Sequence, residues 1–311
     1  MQEKIAVIVP AKASPREIDK CIGSLLNLGY PDLEVILVDD GLEKDALHLL
    51  GNFKDKIKVI KSDSRGPSAA RNLAAKNTAA EYIAFTDSDC IVDRDWLKEL
   101  IHGFRDYPQA VSCGGVQGLP QDATNFEKKV FLFMQKSGFI SDYVRMTKNI
   151  RIREVNHNPS CNVMYKKEVY LKEGGFLEGL WPGEDVEFDY RLKKKGYKLF
   201  LNPKAVVYHY KPKNWKSFLR MMYRYGFTQG FLVKRYGIFR KIHLVPVLSM
   251  LCLVLLTPLL FSNKIFVFCF IVGAILSIWF YFFDFLSFLI FLSGISFWHL
   301  GFIAGLIKNI F

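Results

Sequence analysis

The six cysteines of this 311-residue chain, Cys21, Cys90, Cys113, Cys161, Cys252 and Cys269, form no Cys-X-X-Cys pair and no spacing typical of a zinc module. They fit reduced thiols in a cytoplasmic protein. No Gly-rich turn follows the first apolar strand: Ile5–Val9 runs into Pro10-Ala11-Lys12-Ala13, which disfavours a dinucleotide-binding Rossmann enzyme. No signal peptide is expected, because Met1–Lys4 leads directly into that strand. Polar stripes of helical period are missing from His243 onward, so a soluble helical bundle there is disfavoured.

Hydrophobic residues make up 50% of the chain, and from His243 they are almost continuous. The runs Leu244–Phe261, Ile265–Phe283 and Phe285–Ile307 each approach the roughly 20 residues that cross a bilayer. Three membrane segments are therefore expected over 242–311, with Asp284 in a tight hairpin or re-entrant pair between the last two. The net charge of +12 gathers just before them, at Lys211, Lys213, Lys216, Arg220, Arg224, Lys234, Arg235, Arg240 and Lys241. By the positive-inside rule these cations place the N-terminal domain in the cytoplasm of a multi-pass membrane protein. They are mixed with Trp215, Phe218, Tyr223, Phe227 and Phe231, so 213–241 is expected to be an amphipathic helix on anionic lipid. Membrane lipid, not nucleic acid, is the expected partner.

The first 212 residues read as an α/β domain. Ile5–Val9 and Leu33–Val38 are short β-branched runs, and between them Pro15–Leu28 places Ile18, Cys21, Ile22, Leu25 and Leu26 on one helical face. The alternation continues through a strand at Lys58–Ile60, a helix at Ser68–Asn77 and a strand at Tyr82–Thr86. Further strands are expected at Val111–Val116, Asn162–Tyr165, Lys198–Leu201 and Ala205–Tyr208, with helices from Lys167 and over Glu184–Lys195, the latter capped by Gly196. Open α/β sheets bind ligands at the carboxyl ends of their strands, where Asp39, Asp40, Asp87 and Asp89 all fall. An Asp-X-Asp after a buried strand suits a hard divalent cation that shares its shell with a diphosphate. By itself the triplet is weak evidence, since Asp-rich turns are common caps.

In order, VIVPAKAS, VILVDDG, GPSAARNLA, FTDSD, WPGEDVEFDYRLKKKGYKL and VVYHY resemble the family 2 glycosyltransferases of GT-A fold, a Rossmann-like nucleotide-diphospho-sugar transferase architecture. The resemblance spans residues 4 to 210. It assigns Pro10, Ala11, Asp39 and Asp40 to the nucleoside pocket, although Asp39 could instead cap the turn that follows it. It puts Arg71 by the diphosphate or bracing the Asp cluster, Asp89 on Mn2+ or Mg2+, and Asp87 toward ribose or metal. His209 matches the family's late metal-completing histidine, and a purely structural His is the alternative. Glu184-Asp185 matches the catalytic pair, with Asp185 as the base that inverting sugar transfer needs. Gly114 and Gly115 resemble a small-residue loop that admits a donor sugar, Asn162 is a candidate sugar contact, and Trp181 is placed to stack on a sugar face or simply to pack.

The Gln-X-X-Arg-Trp element of processive synthases is missing; Arg220-Met-Met-Tyr-Arg224-Tyr-Gly226 occupies a comparable region without the Trp, so one sugar is added at a time. The resemblance thus implies an inverting, metal-dependent transferase moving sugar from a nucleotide-sugar donor, a UDP-sugar by preference, to a lipid-linked or glycan acceptor at the cytoplasmic membrane face. The rivals are a polyprenyl-phosphate glycosyl synthase, which differs only in acceptor, and an inactive membrane-tethered scaffold.

Overall fold

The computed structural model describes residues 3–12, 15–42, 53, 55–63, 65–140, 143, 151–262, 272–273, 275 and 284–308. Its contacts divide the chain into two units, one of residues 1–123 and 140–210 and one of 124–139 and 211–311. The segment 124–139 therefore leaves the expected 1–212 domain and belongs with the C-terminal helices.

In the first unit the elements are β1 (Ile5–Ala11), α1 (Pro15–Leu26), β2 (Leu33–Asp39), β3 (Lys58–Lys61), α2 (Pro67–Lys76), β4 (Tyr82–Phe85), β5 (Cys90–Val92) and α3 (Trp96–Asp106). After β6 (Ala110–Gly118) and the excursion of α4 (Asn125–Lys136) come β7 (Arg153–Val155), β8 (Val163–Lys166), α5 (Lys167–Lys172), α6 (Glu184–Lys194) and β9 (Lys198–His209). The sheet order is β3-β2-β1-β4-β8-β6-β9-β5, with β7 paired to β9. β1 is central and parallel to both β2 and β4, while β8 runs antiparallel between β4 and β6. All seven residues of β1 are buried, because helices cover both faces of the sheet. Val7 and Val9 pack with Cys21 and Ile22 of α1 and with Trp96 and Leu100 of α3. Ala6 and Ile8, one residue out of phase, pack with Ala70 and Ala74 of α2 and Phe188 of α6.

The expected breaks and elements differ in three places. The two strands expected around Pro203 are one 12-residue β9. Its ladder with β6 shifts register opposite Gly114–Val116, and that irregularity houses the proline, which has no N–H to offer. The helix over Glu184 ends at Lys194 with Lys195 as its C-cap, one residue short of the expected end, and Gly196 follows at φ +84°. The elements β5, α3, α4 and β7 have no counterpart among the expected ones.

The second unit holds α4, α7 (Trp215–Tyr236), a 3-10 turn (Lys241–His243), α8 (Leu244–Ser262) and α9 (Phe285–Ile307). Thr124 and Glu127 form a reciprocal capping box at the start of α4. Asp284 caps α9 by accepting from the Ser287 N–H at 3.0 Å and pairs with Lys129 of α4 at 2.7 Å, while the other side of the expected hairpin lies outside the described residues. Of the aromatics expected on lipid, Phe218 is fully buried between Phe126 and Phe133 and Phe231 is buried as well, while Trp215, Tyr223 and Phe227 are part-buried. The cations Lys216, Arg220, Arg224, Lys234 and Arg235 stay at the surface. Among the described residues one helix, Phe285–Ile307, is long and apolar enough to cross a membrane. The expected span Ile265–Phe283 lies almost wholly outside the described residues.

α7 and α9 meet backbone to backbone. A Cβ at Gly226 or Gly230 would overlap the carbonyl of Trp298 or Phe302, and one at Gly301 or Gly305 would overlap that of Tyr223 or Phe227. The obstacle is main chain rather than a movable side chain, so Gly301→Leu is expected to part the helices and cost at least ~1–3 kcal/mol. A fall in melting temperature of the detergent-solubilised protein checks this, with exposed Leu300→Val as the neutral comparison.

Candidate active site

Strand ends assemble the site. β1 ends at Pro10 and Ala11, and Ala11 pairs with Asp39 at the end of β2. Asp39 accepts on one carboxylate oxygen from the N–H groups of Gly41 (3.0 Å) and Leu42 (2.8 Å), the turn-capping arrangement that the sequence left open. Asp40 is buried and accepts from the Ser62 hydroxyl at 2.8 Å.

Asp87 and Asp89 occupy the turn between β4 and β5, with side chains 28% and 39% exposed. The antiparallel β5–β9 ladder sets Cys90 opposite His209, and this register brings His209 Nε2 to 3.3 Å from Asp89 Oδ1. Ligand atoms of Asp87, Asp89, Cys90 and His209 all lie within 4.8 Å of one another. Two carboxylates and an imidazole fit a divalent cation of the Mn2+ or Mg2+ type, which takes oxygen donors first and leaves positions for phosphate.

Arg71, on α2, is fully buried and forks between two acids. One guanidinium nitrogen donates to Asp87 Oδ1 and another to Glu184 Oε1, the latter at 2.8 Å. Arg71 thereby joins the Asp-X-Asp turn to the start of α6, reaching Glu184 over a sequence separation of 113 residues. Glu184 also accepts from the Ser160 hydroxyl at 3.1 Å, while its second oxygen is buried without a hydrogen bond. Burial, reinforced by the neighbouring Asp185 and partly opposed by Arg71, pushes the Glu184 carboxyl up to about 7. Because its ordinary value is 4.5, the folded protein holds this proton more tightly than the unfolded chain. The stability linked to Glu184 is thus complete below about pH 4.5 and lost as pH rises through about 7. Glu184→Gln is expected to flatten that decline, read as urea midpoints between about pH 5 and about pH 8.

Asp185 sits in the first turn of α6, after the left-handed Gly183 (φ +99°). Its carboxylate accepts from the Ser160 N–H and the Val186 N–H, each at 2.8 Å. Behind it stands a His–Asp pair that sequence reading missed. His157 Nε2 is 3.9 Å from Asp185, and Nδ1 is 3.0 Å from the buried Asp189. Asp189 is itself held by the Asn158 N–H (2.7 Å) and the Tyr165 hydroxyl (2.9 Å). Asp189 falls one turn after Asp185 on α6, a spacing readable in the sequence, but nothing local announces that His157 reaches both.

Three expected sugar contacts fare differently. Trp181 is 49% exposed, two residues before Gly183. Asn162 is fully buried and its amide is spent inside the sheet: it accepts from Trp96 Nε1 (2.7 Å) and donates to the Val116 (2.9 Å) and Ala205 (3.0 Å) carbonyls. Those two carbonyls flank the β6–β9 register shift, so Asn162 repairs an interrupted ladder and is not exposed to a donor. Gly114 and Gly115 likewise lie within β6, where a Cβ would collide with Asn158 and with the Ala205 carbonyl, so close packing accounts for both glycines.

Comparison with known proteins bears on this arrangement. The model of the family described as Glycosyl transferase family 2 matches residues 6–173. A dolichyl N-acetyl-α-D-glucosaminyl phosphate 3-β-D-2,3-diacetamido-2,3-dideoxy-β-D-glucuronosyltransferase of Methanococcus voltae is 23% identical over 269 residues, 82% of each chain. A mannosyltransferase from Pyrobaculum calidifontis, solved with GDP-Man and Mn2+, superposes with a TM-score of 0.70 at 17% identity over 95% of this chain and 87% of its own. TarS of S. aureus with UDP-GlcNAc gives a TM-score of 0.54 at 19% identity, over 79% and 71%. These structures share the GT-A fold.

Proposed function

The chain belongs to glycosyl transferase family 2, and from that membership and the Asp87–Arg71–Glu184 bridge we propose that it is an inverting transferase moving a sugar from a nucleotide-sugar donor, a UDP-sugar by preference, to a lipid-linked saccharide. The bridge carries the reading, because it ties the diphosphate-binding turn to the helix that bears the base. The relatives support the coarse chemistry: the M. voltae protein's name specifies an acceptor that already carries a sugar on dolichyl phosphate. That favours a lipid-linked saccharide over a bare polyprenyl phosphate.

Asp39 and Asp40, with Pro10 and Ala11, form the nucleoside end of the site, where a carboxylate oxygen accepts from ribose hydroxyls or a uracil N–H. Asp87, Asp89 and His209 would hold Mn2+ or Mg2+, which when bound would supply positive charge to the diphosphate. Asp185 takes the proton of the acceptor hydroxyl as that oxygen bonds to the anomeric carbon and the bond from this carbon to the diphosphate oxygen breaks. Ser160 and the first turn of α6 fix the orientation of this carboxylate, and His157, set by Asp189, backs it. Arg71 keeps Asp87 aligned, and exposed Trp181 offers a face on which the acceptor sugar stacks. The C-terminal unit, with apolar α9 and the cations of α7, associates with the cytoplasmic leaflet.

The reading is tested by transfer of labelled sugar from a panel of nucleotide sugars, with Mn2+ or Mg2+, to dolichyl-linked saccharides and to polyprenyl phosphate. Label in the extended saccharide is expected, and label in a simple phosphodiester would give the reaction to the polyprenyl-phosphate rival. Asp89→Ala is expected to lose metal-dependent stabilisation by the nucleotide, seen as a melting shift in wild type that vanishes in the variant.

A further inference from the structure

Cys90, Cys161 and His209 arrive from three places in the chain: β5, the turn before β8 and the end of β9. Their two Sγ atoms and an imidazole nitrogen lie within 4.8 Å of one another. Asp89 Oδ1 lies alongside, 3.9 Å from Cys90 Sγ and 3.3 Å from His209 Nε2, but it clusters with Asp87, Cys90 and His209 and not with Cys161. In a tetrahedral zinc centre with bonds of about 2.0–2.3 Å, neighbouring ligand atoms stand about 3.3–3.8 Å apart. The two sulfurs and the imidazole nitrogen therefore need shifts of about an ångström to close on one ion.

We propose that Cys90, Cys161 and His209 form a second, thiophilic metal site that binds Zn2+ with solvent in its fourth position and shares His209 with the hard-cation position. The two halves differ in chemistry. Asp87 and Asp89 offer hard oxygen donors, whereas the thiolates of Cys90 and Cys161 select soft or borderline ions that Mg2+ and Mn2+ do not resemble. Ligation displaces one proton from each thiol, and the thiolate sulfurs become the donors. Both cysteines are buried, while Asp89 and His209 remain partly exposed, so an ion enters from the side on which the diphosphate would lie. Zn2+ held there draws His209 out of the shell of the transfer-competent cation, which makes the site inhibitory.

Titration of the full-length detergent-solubilised chain with Cd2+, followed by thiolate-to-cadmium charge-transfer absorption in the ultraviolet, tests this without any sugar nucleotide. Saturation at one Cd2+ per chain is expected, with displacement by Zn2+ and none by excess Mg2+. Cys161→Ala and Cys90→Ala should each weaken binding at least tenfold, and exposed Cys252→Ala should not. Absence of the band, or a band that Cys161→Ala leaves untouched, overturns the proposal. Should either buried variant fail to fold, the cadmium NMR resonance of the wild-type complex decides, since its shift counts thiolate ligands: two support the site and none refutes it.

Discussion

Asp185→Asn is expected to cut the rate of sugar transfer by ~10²–10⁴-fold while leaving donor binding and folding close to wild type. The substitution is nearly isosteric, and the amide oxygen of Asn can still accept from the Ser160 N–H, which reaches Asp185 at 2.8 Å. What it removes is the capacity to take a proton from the acceptor hydroxyl. Loss is therefore confined to the chemical step, so kcat falls and the binding of nucleotide with metal does not. Single-turnover transfer and nucleotide titration on the same preparation check both halves. If the purified variant keeps wild-type turnover, Asp185 is not the base.

Arg71→Leu is expected to destabilise the first unit by ~3–5 kcal/mol, the scale for removing one partner of a buried ionic group. The guanidinium is 1% exposed, and Glu184, at 2% exposure, depends on it for its only cationic partner among the described contacts. The loss should depend on pH with a definite sign. Arg71 acts to lower the Glu184 pKa, which burial raises to about 7, so without Arg71 the carboxyl stays protonated to still higher pH. Protonation relieves part of the penalty in acid, and the difference between variant and wild type widens as pH rises through about 7. Arg71→Lys should recover little, because one ammonium cannot span Asp87 and Glu184 as the two guanidinium nitrogens do. Denaturant midpoints at two pH values measure all of this.

The parts of the site legible in the sequence are those whose signal is local. β1, β2 and β4 are apolar runs that end in polar turns, and their ends mark where Pro10, Ala11, Asp39, Asp40, Asp87 and Asp89 lie. Glu184 and Asp185 begin a helix after a glycine, and that too is a local pattern. Asn162 is the opposite case. A buried asparagine bracing a register shift and one contacting a sugar look alike in sequence, and only the partners Trp96, Val116 and Ala205 separate them. Thr124 and Glu127 did carry a capping-box spacing, yet the membership of α4 in the C-terminal unit could not be read from it, since membership depends on what the helix packs against.

By itself, then, the sequence determined the α/β alternation, the family, the acids at the strand ends and the apolar helix Phe285–Ile307, because hydrophobic period, turn chemistry and short motifs act over a few residues. Tertiary structure alone decided which distant groups share an environment: Arg71 between Asp87 and Glu184, His157 between Asp185 and Asp189, and Cys90 and Cys161 beside His209. The physical reason is register. The β5–β9 pairing that sets Cys90 opposite His209 is fixed by the cooperative packing of the whole sheet, and no stretch of chain around either residue encodes it.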